Sequence, residues 1–377
     1  MKQIFFSFSI LILFSFCFVN HNYVSADDHP TLAIGSNAPD FNLKGVDGKM
    51  YSLSSFKDAK VLVIVFTCDH CPTAQAYENR LIQLTKEYAP KGVAVVAIMP
   101  NDPKSVQLSE LGYTDLGDTY EEMKLRAKRK HFNFPYLYDG ETETVANAYG
   151  PVATPHVFIF DKERKLRYQG RIDDVEKPTA IPKNQDTRNA LNALLSGKDV
   201  PVTTTKVFGC SIKWAEKEEH IAEADKEWAT QPVTLDTIDS AGIRDIIKNN
   251  TDKLLLINVW ATWCGPCVNE FPSLVAINRM YRQRDFQFIS ISADNPEKKD
   301  KVLKMLQSLH AANTNYLFNS DDKYKLIDAV DAKWSGSIPY TILVEPGGRI
   351  IYANTGEIDP SELKTKIVDN KLIGRYY

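Results

Sequence analysis

Leu254-Leu255-Leu256-Ile257-Asn258-Val259-Trp260-Ala261-Thr262-Trp263-Cys264-Gly265-Pro266-Cys267 is the stretch from which the rest of the chain is read. Its first seven residues form a nearly continuous apolar run, the pattern of a strand buried on both faces. A helical pattern follows from Pro266 to about Arg282. A strand that delivers a Cys-x-x-Cys into a helix N-terminus is a redox arrangement. Cysteines three apart on one helical turn share a face and meet the Cα separation of a disulfide, roughly 4.4 to 6.8 Å.

The helix end makes such a pair reactive. Unpaired N–H groups and the positive end of the dipole stabilise a thiolate on Cys264, while Cys267 sits one turn deeper. Cys264 is therefore the expected nucleophile and Cys267 the resolving thiol. Pro266 costs little in the first turn, and Gly265 allows close approach of another chain. Trp263 and Pro266 are read as part of the surface that docks that chain. Glu270, three residues past Cys267, is a candidate acceptor for the proton that Cys267 loses; a solvated surface Glu is the competing reading. Pro272 predicts a kink in the helix.

The run Asn258 to Pro272 resembles the active site of the TlpA/ResA-like thiol-disulfide oxidoreductases, extracytoplasmic members of the thioredoxin superfamily. The likeness extends over about Val233 to Gly374. It implies a cis-proline loop facing the cysteines, which falls here on Ile338-Pro339, before the strand-like run Tyr340 to Val344.

At 377 residues, 44% hydrophobic and 25% charged, the chain is long enough for two or three domains. A net charge of −3 with interspersed signs offers no basic patch, which argues against nucleic acid as a partner. Met1 to Ala26 reads as a secretory signal: Lys2, an apolar stretch from Ile4 to Val19, then small residues at Val24-Ser25-Ala26. Export to the periplasm or cell envelope is expected, with a retained membrane anchor the alternative. Disulfides persist in such compartments, and a dithiol enzyme there needs a source or sink of electrons.

Of six cysteines, Cys17 lies in the leader, Cys264 and Cys267 form one pair, Cys68 and Cys71 a second, and Cys210 stands alone. Val61 to Phe66 is another buried-strand run, and Cys71-Pro72-Thr73-Ala74 opens a helical pattern with Leu81, Leu84 and Tyr88 on one face. The apolar run Val93 to Met99 has its counterpart in Phe286 to Ile291. Thr154-Pro155 precedes Val157 to Phe160 as Ile338-Pro339 precedes its own strand. An internal repeat of one architecture is the economical reading.

The early half resembles a thioredoxin-like branch of the peroxiredoxin (AhpC/TSA, redoxin) proteins. The likeness rests on Ala38-Pro39-Asp40-Phe41-Asn42-Leu43 with Gly48-Lys49, on Phe66-Thr67-Cys68-Asp69-His70-Cys71-Pro72, and on Phe208-Gly209-Cys210-Ser211-Ile212-Lys213-Trp214. Peroxidases of that family carry P-x-x-x-T-x-x-C, and neither Cys68 nor Cys71 has Pro and Thr at those offsets. His70 and Asp69 act on the neighbouring thiol in opposite senses. With Cys68/Cys71 matched to Cys264/Cys267, Ala74 stands in the place of Glu270 and Ala76 in that of Pro272, so different reduction potentials are expected at the two sites. Cys210 is either inert, paired with another chain, or a resolving partner for Cys68 or Cys71.

Asp102 to His131 reads as a polar insertion covering one edge of the first domain, Lys124 to Lys130 as a solvated basic face, and Trp214 to Trp228 as an exposed helical connector. The expected fold is α/β: two tandem thioredoxin-like folds, each a central mixed sheet flanked by helices. The first, redoxin-like, spans 32–200 and the second, TlpA/ResA-like, 233–377, joined by a linker at 201–232. The expected function is thiol-disulfide exchange with protein dithiol or disulfide clients, as a reductant fed from the membrane. The cysteines carry the electrons, so no organic cofactor is needed. A zinc ribbon would require a second Cys pair some 15 to 20 residues away from the first. The alternatives are a thiol-dependent peroxidase and a non-catalytic thiol or copper module built on Cys68, Cys71 and His70.

Overall fold

The computed structural model describes residues 29–177 and 179–374. The leader read over residues 1–26, with Cys17, lies outside the described residues. In the first half the chain runs β1 (Asn42–Gly45), β2 (Met50–Ser52), β3 (Val61–Phe66), α1 (Pro72–Tyr88), β4 (Val93–Met99), α2 (Tyr120–Lys130) and β5 (Tyr136–Tyr138). It continues with α3 (Thr144–Tyr149), β6 (Ala153–Thr154), β7 (His156–Phe160), β8 (Leu166–Gly170) and α4 (Asp186–Leu195). The short strand β9 (Cys210–Ser211) and helix α5 (Glu218–Ala229) lead to the second half. There the order is β10 (Asp236–Ile238), α6 (Ser240–Lys248), β11 (Leu254–Trp260), α7 (Gly265–Tyr281), β12 (Phe286–Ser292) and α8 (Lys299–Ser308). It closes with β13 (Thr314–Phe318), α9 (Lys323–Val330), β14 (Tyr340–Glu345), β15 (Arg349–Thr355) and α10 (Pro360–Val368).

Two mixed sheets result, of order β2-β1-β5-β4-β3-β7-β8 and β10-β13-β12-β11-β14-β15. Their centres are alike: β3 lies parallel to β4 and antiparallel to β7, and β11 lies parallel to β12 and antiparallel to β14. Both central strands are buried throughout because helices cover both faces. Val61, Val63 and Val65 pack with α1 and α4, whereas Leu62, Ile64 and Phe66 pack with α3. Likewise Leu254 and Leu256 face α7, α8 and α10, and Leu255, Ile257 and Val259 face α6 and α9. The fold is the expected α/β pair of thioredoxin-like units. In each, the central strand ends at a cysteine-bearing loop and a long helix leaves from it.

Three surface expectations are corrected. Within the stretch 102–131, Leu108 and Leu111 pack against the core under α7, and the Tyr281 hydroxyl donates to the Thr114 carbonyl at 2.8 Å. The Thr365 hydroxyl donates to Asp115 at 2.7 Å. Apolar residues inside a polar segment dock it on the second half, so it joins the halves rather than covering an edge. In the basic run, Arg126 is buried, donating to Glu78 at 2.6 Å. In the connector, Trp228 is buried and donates to the His310 carbonyl at 3.0 Å. No helix among the described residues is long and apolar enough to cross a membrane.

Candidate redox sites

In the second half Cys264 is the N-cap of α7 and Cys267 lies in its first turn. The two are joined in a disulfide with Cα atoms 5.3 Å apart. The Cys267 N–H donates to the Cys264 sulfur at 3.3 Å, so an otherwise unpaired amide of the first turn faces the sulfur that would carry charge. Cys264 retains 7% exposure and Cys267 none, leaving one sulfur open to attack from outside. The Ile338–Pro339 bond is cis and brings the Ile338 carbonyl to 3.7 Å from the Cys264 sulfur. Trp263 stands beside the pair 59% exposed, with the Lys323 ammonium 5.6 Å from its ring centre.

Glu270 is buried one turn below Cys267. Burial pushes its carboxyl up to about 7, against the lowering effect of the Ile358 N–H and the Asn258 amide, both donating at 2.9 Å. Asn258 also donates to the Thr341 hydroxyl at 2.9 Å. It was not singled out in sequence, although a lone amide in the apolar run Leu254 to Trp260 was a visible signal: it faces α7 on alternation with Leu254 and Leu256.

The first-half site departs from the expected pairing. Cys71 is bonded to Cys210, with Cα atoms 6.0 Å apart, and Cys68 is a buried free thiol. The reason lies in where the helix begins. Pro72 takes the first position of α1 and makes Cys71 its N-cap, as Cys264 is the N-cap of α7. The Cys71 sulfur lies 3.6 Å from the Thr154 carbonyl, before the cis Thr154–Pro155 bond, matching the place of Cys264 beside Ile338. Counted from the helix starts, Ala74 falls opposite Cys267 and Tyr77 opposite Glu270. The match of Cys68/Cys71 to Cys264/Cys267 is thus shifted by three residues. Cys210 belongs to β9, which pairs antiparallel with β6, Thr154 facing Cys210. Gly209 permits this approach: at φ +147° a side-chain carbon there would stand 2.0 Å from the Thr154 carbonyl oxygen.

Around Cys68 is a buried polar cluster. Its sulfur contacts the Thr154 hydroxyl at 3.0 Å, and the sulfur, the His70 imidazole and an Asp118 oxygen offer atoms all within 4.8 Å of one another. His70 Nδ1 is 2.6 Å from Asp118 Oδ2. The Asp69 and His70 N–H groups and the Asn101 amide also donate to Asp118, at 3.0, 3.1 and 2.7 Å. Burial opposes a charge on His70, but the Asp118 carboxylate and the Cys68 sulfur outweigh it and hold the imidazole well above its usual range. Burial and then the Asp118 charge push Asp69 upward, and the Tyr136 hydroxyl donates to it at 3.0 Å. Two of the three residues weighed as copper ligands, Cys68 and His70, are together, but Cys71 is occupied by Cys210 and Asp118 completes the cluster instead. Asp118 lies 48 residues from His70, and nothing local in sequence marks it.

Residues 34–169 match the AhpC/TSA family model and residues 230–372 the Redoxin model. Among curated relatives, thiol-disulfide oxidoreductase ResA of Bacillus subtilis (strain 168) is 25% identical over 123 residues, covering 33% of this chain and 64% of that protein. ResA of Geobacillus thermodenitrificans is 27% identical over 138 residues, covering 36% and 68%. The chain thus spans about two thirds of these relatives, just under that share for the first. A crystal structure of an uncharacterized conserved protein from Geobacillus kaustophilus is 40% identical, covering 48% of this chain and 92% of its own, with a TM-score of 0.43. The two halves share the cis-proline loop and the strand-to-cysteine-to-helix order. The chain thus resembles an AhpC/TSA-family segment followed by a redoxin-family segment.

Proposed function

We propose that the chain is an exported thiol-disulfide oxidoreductase that exchanges disulfides with partner proteins and acts as a reductant. The observation that carries this is the position of Cys264: N-cap of α7, beside the carbonyl that precedes cis-Pro339, joined to a fully buried Cys267. The Cys264 thiolate attacks one sulfur of a client disulfide, and the other client sulfur leaves as a thiolate that takes up a proton. Cys267 then gives its proton to Glu270 and attacks the Cys264 sulfur. The second client thiol departs and the Cys264–Cys267 disulfide closes; the client has gained two electrons and the chain has lost two. Burial, which leaves Glu270 near about 7, suits it to accept and return that proton at neutral pH.

Exposed Trp263 with Pro266 on one side, and Ile338-Pro339 on the other, would form the client-facing surface of this site, and Thr154-Pro155 that of the first-half site. The leader pattern of residues 1–26 supports export, and a membrane dithiol donor would restore the reduced state. The two separate sheets support a division into units over 32–200 and 233–377 joined by 201–232. Reduction of insulin disulfides by the full chain, lost on Cys264→Ser, tests the exchange. The reduction potential of Cys264/Cys267, by thiol trapping across dithiothreitol ratios, tests its direction: values near or below about −230 mV fit a reductant, and values above about −180 mV exclude one.

The Cys68–His70–Asp118 cluster favours a second reading, a thiol peroxidase in the first half recycled by the second. One turnover of peroxide consumption that survives Cys264→Ser and Cys267→Ser but not Cys68→Ser is its test.

A further inference from the structure

Three cysteines meet at the first-half site, and a Cys-x-x-Cys pair accounts for only two of them. Cys68 and Cys71 both contact Thr154, Cys68 through the hydroxyl at 3.0 Å and Cys71 through the carbonyl at 3.6 Å. The free thiol and one sulfur of the Cys71–Cys210 disulfide therefore border the same residue. Only three positions separate Cys68 from Cys71, whereas Cys210 comes from 139 residues away on a two-residue strand. The thiol has a built environment: among the described residues, Cys68, His70 and Asp118 are the one such cluster of thiol, imidazole and carboxylate, and all three are buried. Asp118 is fixed by two backbone N–H groups and Asn101, so it orients His70 Nδ1 and leaves Nε2 as the nitrogen that can hold a proton for the sulfur.

We propose that Cys68 is a third exchanging cysteine, whose sulfur attacks Cys71 and converts the Cys71–Cys210 disulfide into a Cys68–Cys71 disulfide, releasing Cys210 as a thiol. This rests on reading the chain as a thiol-disulfide exchanger and adds a step internal to its first half. Held as a thiolate beside the protonated His70 imidazole, the Cys68 sulfur attacks Cys71, the Cys68–Cys71 bond forms as the Cys71–Cys210 bond breaks, and the departing Cys210 thiolate takes up a proton. One thiol and one disulfide are present before and after, so no outside oxidant or reductant is required. His70 touches the reacting sulfur, and Asp118 acts through His70 as a positioning residue. The raised imidazole accords with a cation held by its carboxylate partner beside the attacking sulfur.

The step also has a structural result. The Cys71–Cys210 bond ties β9 to the start of α1, and its loss leaves β9 held by the backbone pairing of Ala153 with Ser211 and Thr154 with Cys210, by buried Ile212, and by Lys213, whose N–H donates to Asn101 and whose carbonyl accepts from the Asp102 N–H. Exchange therefore removes the one covalent tie on Cys210 while its neighbours Ile212 and Lys213 stay anchored. The chain would alternate between a form with its thiol at buried Cys68 and a form with its thiol at half-buried Cys210.

The full chain carrying Cys17→Ser, Cys264→Ser and Cys267→Ser retains only Cys68, Cys71 and Cys210, and air oxidation leaves it with one disulfide and one thiol. Incubation with a polyethylene glycol maleimide, too bulky to reach buried Cys68, followed by peptide mass spectrometry reports which thiol becomes available. Label accumulating on Cys210, with a Cys68–Cys71 disulfide in the same molecules, is the expected result. His70→Asn should slow that labelling at least tenfold, and Cys68→Ser should abolish it. Label on Cys68 with Cys71–Cys210 intact, no label at all, or Cys210 labelling that persists in Cys68→Ser overturns the proposal. The unsubstituted three-cysteine site decides the matter even if His70→Asn does not fold. Because the chain tested lacks Cys264 and Cys267, its result is separate from the insulin assay that tests the exchange function.

Discussion

Cys71 is the structural counterpart of Cys264: each is the N-cap of its helix, and each sulfur lies beside the carbonyl that precedes a cis-proline, at 3.6 and 3.7 Å. What differs is the partner. Cys264 is closed by Cys267 from its own helix, whereas Cys71 is closed by Cys210 from a strand laid along the proline loop. Cys267→Ser is therefore expected to accumulate a mixed disulfide between Cys264 and a client, and Cys264→Ser to accumulate none. Non-reducing electrophoresis with peptide mapping checks this; equal trapping by both variants would remove Cys264 as the attacking sulfur.

Glu270 gives a pH signature. Its folded pKa is about 7 against an ordinary value of 4.5, so its buried neutral form is fully compatible with folding below about pH 4.5. As pH rises toward and through 7, the unfolded chain gains from ionising before the folded one does, and stability is lost. Glu270→Gln should flatten the fall in stability between about pH 4.5 and 7 by about 1–2 kcal/mol. The same variant should slow resolution of the Cys264 mixed disulfide by about 100-fold and remove its inflection near neutrality. Urea unfolding and stopped-flow release of the client thiol, each across pH, measure the two effects. An unchanged pH profile in both would show that Glu270 handles no proton.

Gly209→Ala should loosen the first-half disulfide. The added carbon meets the Thr154 carbonyl at 2.0 Å in a backbone conformation that L residues rarely adopt. A strain of about 1–3 kcal/mol at that position corresponds to about 20–60 mV in favour of reducing Cys71–Cys210. Thiol trapping across a dithiothreitol series reads the shift, and a potential equal to that of the unsubstituted chain would mean that β9 is not held against β6.

Arg126 and Glu78 form a buried ion pair at 2.6 Å, joined at its edge by Lys130 at 3.4 Å. Glu78→Ala leaves the guanidinium without its anion in a site where water cannot replace it, at a cost of about 3–5 kcal/mol. Thermal and urea unfolding should show this loss, and a cost below about 1 kcal/mol would mean that Arg126 finds water when Glu78 is removed.

Much of this architecture was legible because its signals are local. Val61 to Phe66 and Leu254 to Trp260 read as doubly covered strands, and doubly covered they are. Both X-Pro steps that sequence matched to one another are cis. The register of the first site was misread because Cys-x-x-Cys was aligned on its cysteines. Pro72 directly follows Cys71, whereas Pro266 lies between Cys264 and Cys267, a visible sign that the two helices start at different points of their Cys-x-x-Cys. The pairing of Cys71 with Cys210 and the placing of Asp118 at His70 were not legible, because both join residues that only the tertiary fold brings together. Arg126 was misjudged for a related reason: its buried acidic partner sits on α1, 48 residues earlier.

The pairing of β9 with β6 sets a threshold for any outside molecule at Cys71. A segment tethered to the same chain competes at an effective concentration that reaches the millimolar range for short flexible links. A free client present at micromolar levels would lose that contest by about a thousandfold unless its own contacts made up the difference. Among the described residues no strand pairs along the proline loop beside Cys264, so dilute clients would meet the second half first, whichever site has the stronger chemistry.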